Sequence, residues 1–541
     1  MKKNLLNIKK AMVVLLCVSL FFCVGCKASN DENAAQKTSE DTQENEVQKK
    51  AEDPTDKYKP EEGKEYVLEW AKANNAQINE NPLIVKHFEE KLGVKFNVWS
   101  LDPNTVYEQL ALKITSGEVP DIFSVNSFDN YKDYVEKEVV MELDKDVIKR
   151  YAPNVYKLYE EEAPGAFDIY KIDGKLYGFP YYRDHHVYDR TPVVWRGDWL
   201  KKVGINKTPE TVAEFEEALY KFTREDPDEN GKNDTYGMAN TAMGLFYGAF
   251  GQPYGIWFEK DGKLTYSAVQ PEVKEALTYL AKWYEDGVID PDFMDGENTG
   301  GYWAVTHSFA NGKIGLTSMG NYYHWGTPLF EGHGGYTNYA EVNKVNPEAA
   351  ESLVFGLPPK GPDGKMGAWH APVVAGPGNC IGISVEKDPG KLGKILEVLN
   401  YIHSSKENYW TARLGIEGFH WEFNEHNIPQ TIPDTDSTSD GGNTLFPICE
   451  PIKYSINEGL MKFGEKHKFN VGGVRNKLTV ALPSASQYQA ELNTLLNDAI
   501  NSIILGEKPV SYYDEIIQKW HKSGGDILTK EANEWYEANK K

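Results

Sequence analysis

Apolar and polar positions alternate with period two over residues 66–70 (Tyr-Val-Leu-Glu-Trp) and again over 94–98 (Val-Lys-Phe-Asn-Val). Between them, 81–92 carries apolar residues at helical spacing. The pattern then continues: 105–115 predicts a helix stopped at Ser116-Gly117, and 120–125 predicts a third strand that enters a loop at 126–130. Strands alternating with helices predict an α/β fold with a parallel sheet covered on its faces by helices. In open sheets of that kind a ligand lies outside the carboxyl ends of the strands. Asn74, Asn75, Asn126, Ser127 and Asp129 fall at such ends.

Further along, a turn at Ile172-Asp-Gly-Lys175 leads to a short aromatic strand over 176–182. A second strand–helix series starts at 193–195, with helices predicted over 211–223 and 271–285 and a strand over 313–319, followed by Gly320-Asn-Tyr-Tyr-His-Trp325. The tail reads as amphipathic helices over 484–504 and 511–521, interrupted at Gly506-Glu-Lys-Pro509. There is no internal repeat.

The first residues have a different pattern. Lys2, Lys3, Lys9 and Lys10 precede an apolar run over 11–24 that is short for a membrane span, the layout of a secretory signal. Gly25-Cys26 follows, a small residue before a cysteine, which makes Cys26 the candidate lipid attachment site and 1–25 the segment removed. Cys23 stands where leucine is usual, and an uncleaved anchor is the alternative. From 26 to 62 the chain is polar and charged, too poor in apolar residues to fold, and reads as a tether. Cys380 and Cys449 are left as internal thiols, expected to be separate and buried.

Nearly 480 residues remain, more than one core usually serves, so two lobes are expected. Without the four leading lysines the net charge of -23 becomes about -27. A surface this acidic lacks the basic stripes that nucleic-acid binding needs. Aromatic residues make up 12% of the chain.

Six segments carry a family resemblance: Ser116-Gly-Glu-Val-Pro-Asp-Ile-Phe123, Asp173-Gly-Lys-Leu-Tyr-Gly-Phe-Pro180, Arg196-Gly-Asp-Trp-Leu200, Phe309-Ala-Asn-Gly-Lys-Ile-Gly315, Gly415-Ile-Glu-Gly418 and Asn533-Glu-Trp-Tyr536. In this order the chain resembles family 1 extracellular solute-binding proteins of ABC importers, particularly large Gram-positive lipoproteins. The resemblance implies a two-lobed periplasmic-binding-protein-like fold, a hinge and a central ligand cleft. With crossings placed near Tyr182, Gly320 and His403, lobe 1 would hold 63–182 and 321–403, and lobe 2 would hold 183–320 and 404–541 with the C-terminal helices. It further implies a monomer on the outer face of a Gram-positive cell membrane, held by its lipid, that passes a carbohydrate to the importer's permease. Closure is then a population shift, because the ligand touches both lobes only when they close.

A sugar presents C–H faces and rings of hydroxyls, so its site needs aromatic plates together with Asp, Asn, Arg or His. Trp325, after the strand that leaves lobe 2, stands where similar sugar binders place a stacking tryptophan; a core tryptophan at the hinge is the alternative. Tyr182-Arg183-Asp184-His185-His186 concentrates donors and acceptors beside aromatic surface, with Arg183 and Asp184 clamping hydroxyls or pairing with each other. His420 and Trp421 lie in a glycine-flanked loop that reaches the cleft in similar proteins. Asn74 and Asn126 complete the expected set, and Trp303, Trp369 and Trp257 are further aromatic candidates for which ordinary packing competes.

Asp226, Asp228, Asn230, Lys232 (through its carbonyl) and Asp234 match positions one, three, five, seven and nine of an EF-hand loop, with Gly231 at the sharp turn, so structural Ca2+ is the expected ion. The twelfth position is Gly237 and Thr235 follows the ninth, so the bidentate carboxylate is missing or comes from elsewhere; a polar turn is the alternative. No Gly-x-Ser-x-Gly, His-Glu-x-x-His or phosphate loop is present, and the chain is not expected to be an enzyme. Two carboxylates are nevertheless all that a glycosidase needs, and a binder of peptides on the same fold is the other alternative.

Overall fold

The structure is a computed structural model and describes residues 53–73, 76–125, 127–443 and 445–540. The leading segment, Cys26, most of the expected tether, Asn74, Asn75 and Asn126 lie outside the described residues.

Strand β1 (Tyr66–Ala73) pairs in parallel with β2 (Val94–Leu101) and with β3 (Ile122–Val125). On β1 the alternation that announced it buries Tyr66, Leu68 and Trp70. The intervening helix Leu83–Leu92 buries Ile84, Val85 and Phe88, and stops where Gly93 takes the left-handed conformation at φ 61°. Strand β4 (Gly178–Tyr182) closes the sheet on the far side of β12 (Val374–Ile381), giving the order β2-β1-β3-β12-β4 with β12 antiparallel to both neighbours.

A second sheet has the order β10 (Val354–Phe355), β5 (Val194–Trp195), β9 (Ile314–Thr317), β6 (Tyr236–Met238). Here β6 and β9 are parallel and β5 and β10 antiparallel. Two hairpins, β7–β8 (Trp257–Lys260, Lys263–Tyr266) and β13–β14 (Trp421–Phe423, Pro429–Thr431), and the short pair β11 (Ala368–Trp369) with β15 (Gly473–Val474) complete the strands.

Each sheet organises its own hydrophobic core. Trp70, Phe88, Phe123, Ile395, Leu399 and Phe446 belong to the first, and Trp195, Trp199, Phe246, Trp283, Ile503 and Trp520 to the second. These memberships move the expected lobe boundaries. Residues 321–371 stay with the second sheet, because β10 pairs with β5 and because Tyr322, Trp325 and Tyr339 pack with Ile314 of β9. Residues 404–455 stay with the first sheet: Leu445, Phe446, Ile448 and Cys449 fill its core, and the Trp70 indole donates to the Leu445 carbonyl at 2.8 Å. The second crossing is therefore near 372 rather than 320, and the third near 450–457 rather than 403.

The expected tether also ends earlier than 62. From Asp53 the chain lies against the first lobe, where Arg150 pairs with Asp53 at 3.0 Å and also with Asp56. Cys380 and Cys449 are both buried and free. Among the described residues no helix is long and apolar enough to cross a membrane.

Candidate ligand cleft between two lobes

The first two crossings run side by side. The Arg183 N–H donates to Val373 O at 3.3 Å, Ala371 N–H to Asp189 O at 3.0 Å and Thr191 N–H to Trp369 O at 2.9 Å. The third joins them where Glu450 N–H donates to Tyr182 O at 2.9 Å and Ile452 N–H to the Glu162 carboxylate at 2.6 Å. Three connections tied by backbone bonds permit rotation about the hinge while holding its side chains in register.

Polar groups converge at that hinge. The Tyr181 hydroxyl donates to Glu450 Oε1 at 2.6 Å, with Arg413 3.5 Å from the same oxygen. His185 Nδ1 lies 3.1 Å from Asp184 Oδ1 and 3.7 Å from Glu450 Oε2. Ligand atoms of Asp184, His185 and Glu450 all come within 4.8 Å of one another, so this trio could also hold a cation. Burial pushes the Asp184 carboxyl up, but its hydrogen bonds with His185 and Ser455 prevail and hold it below the usual carboxylate range. Asp189 is pushed up to about 6 by burial, against the pull of His185 and Arg183.

From this cluster a series of ring contacts runs into the second lobe. His185 meets Tyr323 at 5.1 Å, Tyr323 meets His324 at 4.2 Å, His324 meets Trp303 at 5.3 Å, and Trp303 meets Tyr302 at 5.6 Å. The outermost rings are open, Trp303 being 56% and Tyr302 52% exposed, and Trp369 beside the first crossing is 44% exposed. Their loop rests on a buried carboxylate, Glu297, which accepts from the hydroxyls of Thr241, Thr306 and Thr317 and from the Thr241 N–H. Thr317 ends β9 and Thr241 follows β6, so the carboxyl ends of the second sheet's parallel strands carry this aromatic surface.

On the flank, a cavity of about 1050 Å³ is lined from both lobes. The first lobe contributes Phe128, Asp129 and Lys132 from a helix (Phe128–Glu136) that starts just beyond β3, and the turn at 171–173; the second contributes 480–483, Gln489 and Trp535. The sequence put Asp129 only at a strand end, Gln489 on the amphipathic helix over 484–504 and Trp535 in the family segment Asn533–Tyr536, none of them at a cavity.

Several expected ligand contacts turn out to be interior. Trp325 is fully buried, packs edge-on against Phe309 at 5.5 Å and donates its indole N–H to Met319 O at 2.9 Å, so neither its face nor its donor is available for stacking. Tyr182 is buried against Tyr159, with its hydroxyl donating to Glu162 at 3.2 Å. His420 accepts the Ile416 N–H at Nδ1 and pairs through Nε2 with Asp440 at 3.0 Å, while Trp421 donates to Gly415 O at 2.9 Å and packs on Trp410. Trp257 is 5% exposed. Arg183, Asp184, His185, Trp303 and Trp369 are the expected residues that the structure brings to the hinge and its aromatic rim; Asn74 and Asn126 lie outside the described residues.

The acidic loop folds back on itself. Asp226 accepts N–H bonds from Asn230 and Gly231, and the Asn230 amide bridges Asp228 at 2.7 Å and Asp234 at 3.0 Å. One oxygen of Asp228 is buried without a partner, and burial together with Asp226 raises its carboxyl. At Gly237 any Cβ would come within 2.8 Å of Leu219, so packing rules out a twelfth-position carboxylate.

This architecture, two α/β lobes joined by three crossings around a polar and aromatic cleft, is that of a solute-binding protein. The model of the bacterial extracellular solute-binding proteins matches residues 84–383, more than half of the chain, and the chain belongs to that family. It is 26% identical over 479 residues to the polygalacturonan/rhamnogalacturonan-binding protein YtcQ of Bacillus subtilis, covering 84% of this chain and 88% of the relative. To lipoprotein LipO of Bacillus subtilis it is 28% identical over 401 residues, 68% of this chain and 72% of the relative. Among solved structures, the Streptococcus pneumoniae ABC-transporter substrate-binding protein FusA shares the fold. Its complex with kestose superposes with a TM-score of 0.59 at 17% identity, and an EF-hand mutant with fructo-nystose superposes at 0.58 and 18%, each over 87% of this chain and 99% of FusA.

Proposed function

We propose that this protein captures an oligosaccharide between its lobes, without altering it, and delivers it to an ABC importer. The observation that carries this reading is the open aromatic surface of Trp303 and Tyr302, continuous through His324 and Tyr323 with the Asp184–His185–Glu450 cluster. Exposed indole and phenol faces suit sugar C–H faces, and the carboxylates, imidazole and Asn321 amide suit hydroxyls. The names of YtcQ and FusA, one a polygalacturonan/rhamnogalacturonan binder and the other a fructooligosaccharide transporter protein, support a carbohydrate. Lipid attachment at Cys26 would hold the protein at the outer face of the membrane, and LipO's name supports an anchored form.

Calcium fits the acidic loop. The unpartnered Asp228 oxygen, the facing carboxylates of Asp226 and Asp234, the Asn230 amide and the Lys232 carbonyl form the hard, oxygen-rich set that this ion takes. Bound there, the ion would neutralise the repulsion among three aspartates and fix the loop that leads into β6. The EF-hand named in FusA supports the same use.

A thermal-shift screen of the purified protein against oligosaccharides, peptides and polyamines tests the reading, because a ligand of the folded state alone raises the melting temperature. Oligosaccharides raising it, with no change in the recovered sugar's length, is the expected outcome. Stabilisation by peptides alone, or turnover of the sugar, would overturn it.

A further inference from the structure

Three arginines near the hinge are held by an ion pair or by bonds to backbone carbonyls. Arg413 stands 3.5 Å from Glu450; Arg475 donates to Ala371 O at 2.9 Å and His186 O at 3.3 Å; Arg190 donates to Thr191 O and to Gly356 O at 3.3 Å. Arg190 also has a buried Nε without a partner but is enclosed at 1% exposure, whereas Arg183 is only half-buried at the crossing. Its guanidinium lies over the Tyr181 ring at 5.4 Å, its Nε is buried without a partner, and no carboxylate among the described residues comes within ion-pair distance of it. It influences Asp189, but Asp189 takes its hydrogen bond from the Asn321 amide at 3.2 Å.

We infer that Arg183 is the receptor for a carboxylate on the ligand, so that the oligosaccharide captured here is a uronate-bearing one. The inference rests on the carbohydrate reading above and narrows it. In a chain with a net charge of -23, Arg183 stands without an ion-pair partner among the described residues, only half-buried, where the first crossing passes between the lobes. Closing the lobes over a neutral sugar would enclose that cation further with no carboxylate in direct contact, an unfavourable transfer. A carboxylate removes the difficulty, because the planar guanidinium fork matches its two oxygens. Neutral hydroxyls do not require it, since Asn321, Asp184, His185 and Glu450 already provide donors and acceptors for them.

The test measures affinity calorimetrically for oligomers of galacturonate, glucuronate and mannuronate, each beside its carboxyl-reduced counterpart of the same length and linkage. The expected result is that at least one acidic oligomer binds tenfold or more tightly than its reduced partner, and that added salt weakens only the acidic one. Arg183→Gln should bring that ratio close to one, and Arg183→Lys should keep part of it, since the charge persists without the fork. Unfolding curves of both variants are recorded alongside, and if Gln fails to fold, the Lys variant's reduced ratio carries the test. Equal binding of acidic and reduced oligomers by the wild-type protein overturns the inference but leaves the carbohydrate reading standing, as does a ratio unchanged in Arg183→Gln. Binding of no oligomer of either kind overturns the inference, and the thermal-shift screen against other oligosaccharides then decides the carbohydrate reading separately.

Discussion

Glu297 supports the exposed aromatic loop, and removing it should affect both stability and ligand affinity. It is 1% exposed, and its two oxygens serve three threonine hydroxyls and one backbone N–H drawn from β6's exit, from β9 and from the 306–310 turn. Its own carbonyl accepts from His307 N–H at 2.9 Å, and Asn298 next to it ties the loop by accepting from Gly301 N–H at 2.7 Å. Glu297→Ala leaves four donors to find other acceptors. At the low end of about 1–3 kcal/mol for each buried donor left unsatisfied, which fits hydroxyls free to rotate toward the Thr241–Thr317 contact at 3.4 Å, the loss should be about 4 kcal/mol. For a lobe of this size that is a melting temperature lower by about 10 °C. Glu297→Gln should lose less, because burial holds the native acid above its ordinary range and the amide avoids enclosing a charge. With its base loosened, Trp303 no longer presents a fixed plate, so sugar affinity should fall by up to about tenfold, the value of one stacking contact. Calorimetric unfolding and ligand titration of both variants check this. A Glu297→Ala protein that melts within about 2 °C of wild type, or binds sugar unchanged, would refute the argument from burial.

Two tryptophans should separate cleanly. Trp303→Ala should leave unfolding of the ligand-free protein nearly unchanged and weaken sugar binding about tenfold, whereas Trp325→Ala should lower stability by about 3–5 kcal/mol through the cavity it opens. Calcium should raise the melting temperature of chelator-treated protein, with about 2.7 kcal/mol expected at a hundredfold excess over its dissociation constant, and Asp228→Ala should abolish the response. Lys72 provides a pH signature. It is buried, donates to Pro447 O at 2.8 Å, and is pushed down to about 7, first by burial and then by Arg413. A base depressed in the folded state binds its proton more weakly there than in the unfolded chain, so its unfavourable contribution is complete below pH 7 and fades as pH rises toward the ordinary lysine value. Denaturant unfolding of wild type and Lys72→Met should therefore show the variant gaining most at pH 6 and least at pH 10; a difference independent of pH would count against the buried charge.

The elements with strong periodicity were legible before any coordinates. The expected helix over 211–223 is Val212–Arg224, with Thr211 and Glu214 forming its capping box, and the helix over 484–504 is Ala485–Ile504. The crossings were not legible, because the strand that marks the second one, β12, reads Val-Ala-Gly-Pro-Gly-Asn-Cys-Ile and pairs with β4 through two register shifts. Gly378 sits there at φ 78°, its missing Cβ leaving room for the Phe179 carbonyl, so the element that defines the lobe boundary is the one with least hydrophobic alternation. Residues 404–455 misled for a different reason: nothing local shows that Leu445 to Cys449 fill a core built by β1, almost four hundred residues earlier in the chain.

The site divides along the same line. Arg183, Asp184 and His185 could be singled out because polar density next to an aromatic strand is a local feature, and the hinge is a local break between sheets. Trp325 and Trp303 could not be ranked from their neighbours in sequence. Trp325 follows Gly320-Asn-Tyr-Tyr-His on a 3-10 turn whose inner side faces Phe309, whereas Trp303 follows Gly300-Gly301 in a loop that Glu297 lifts clear of the core. What makes a tryptophan a plate for a ligand rather than a filler of its own fold is thus a buried carboxylate six residues away. That carboxylate is anchored to Thr317 at the end of β9 and to Thr241 just after β6, an arrangement that exists only after the second sheet has formed.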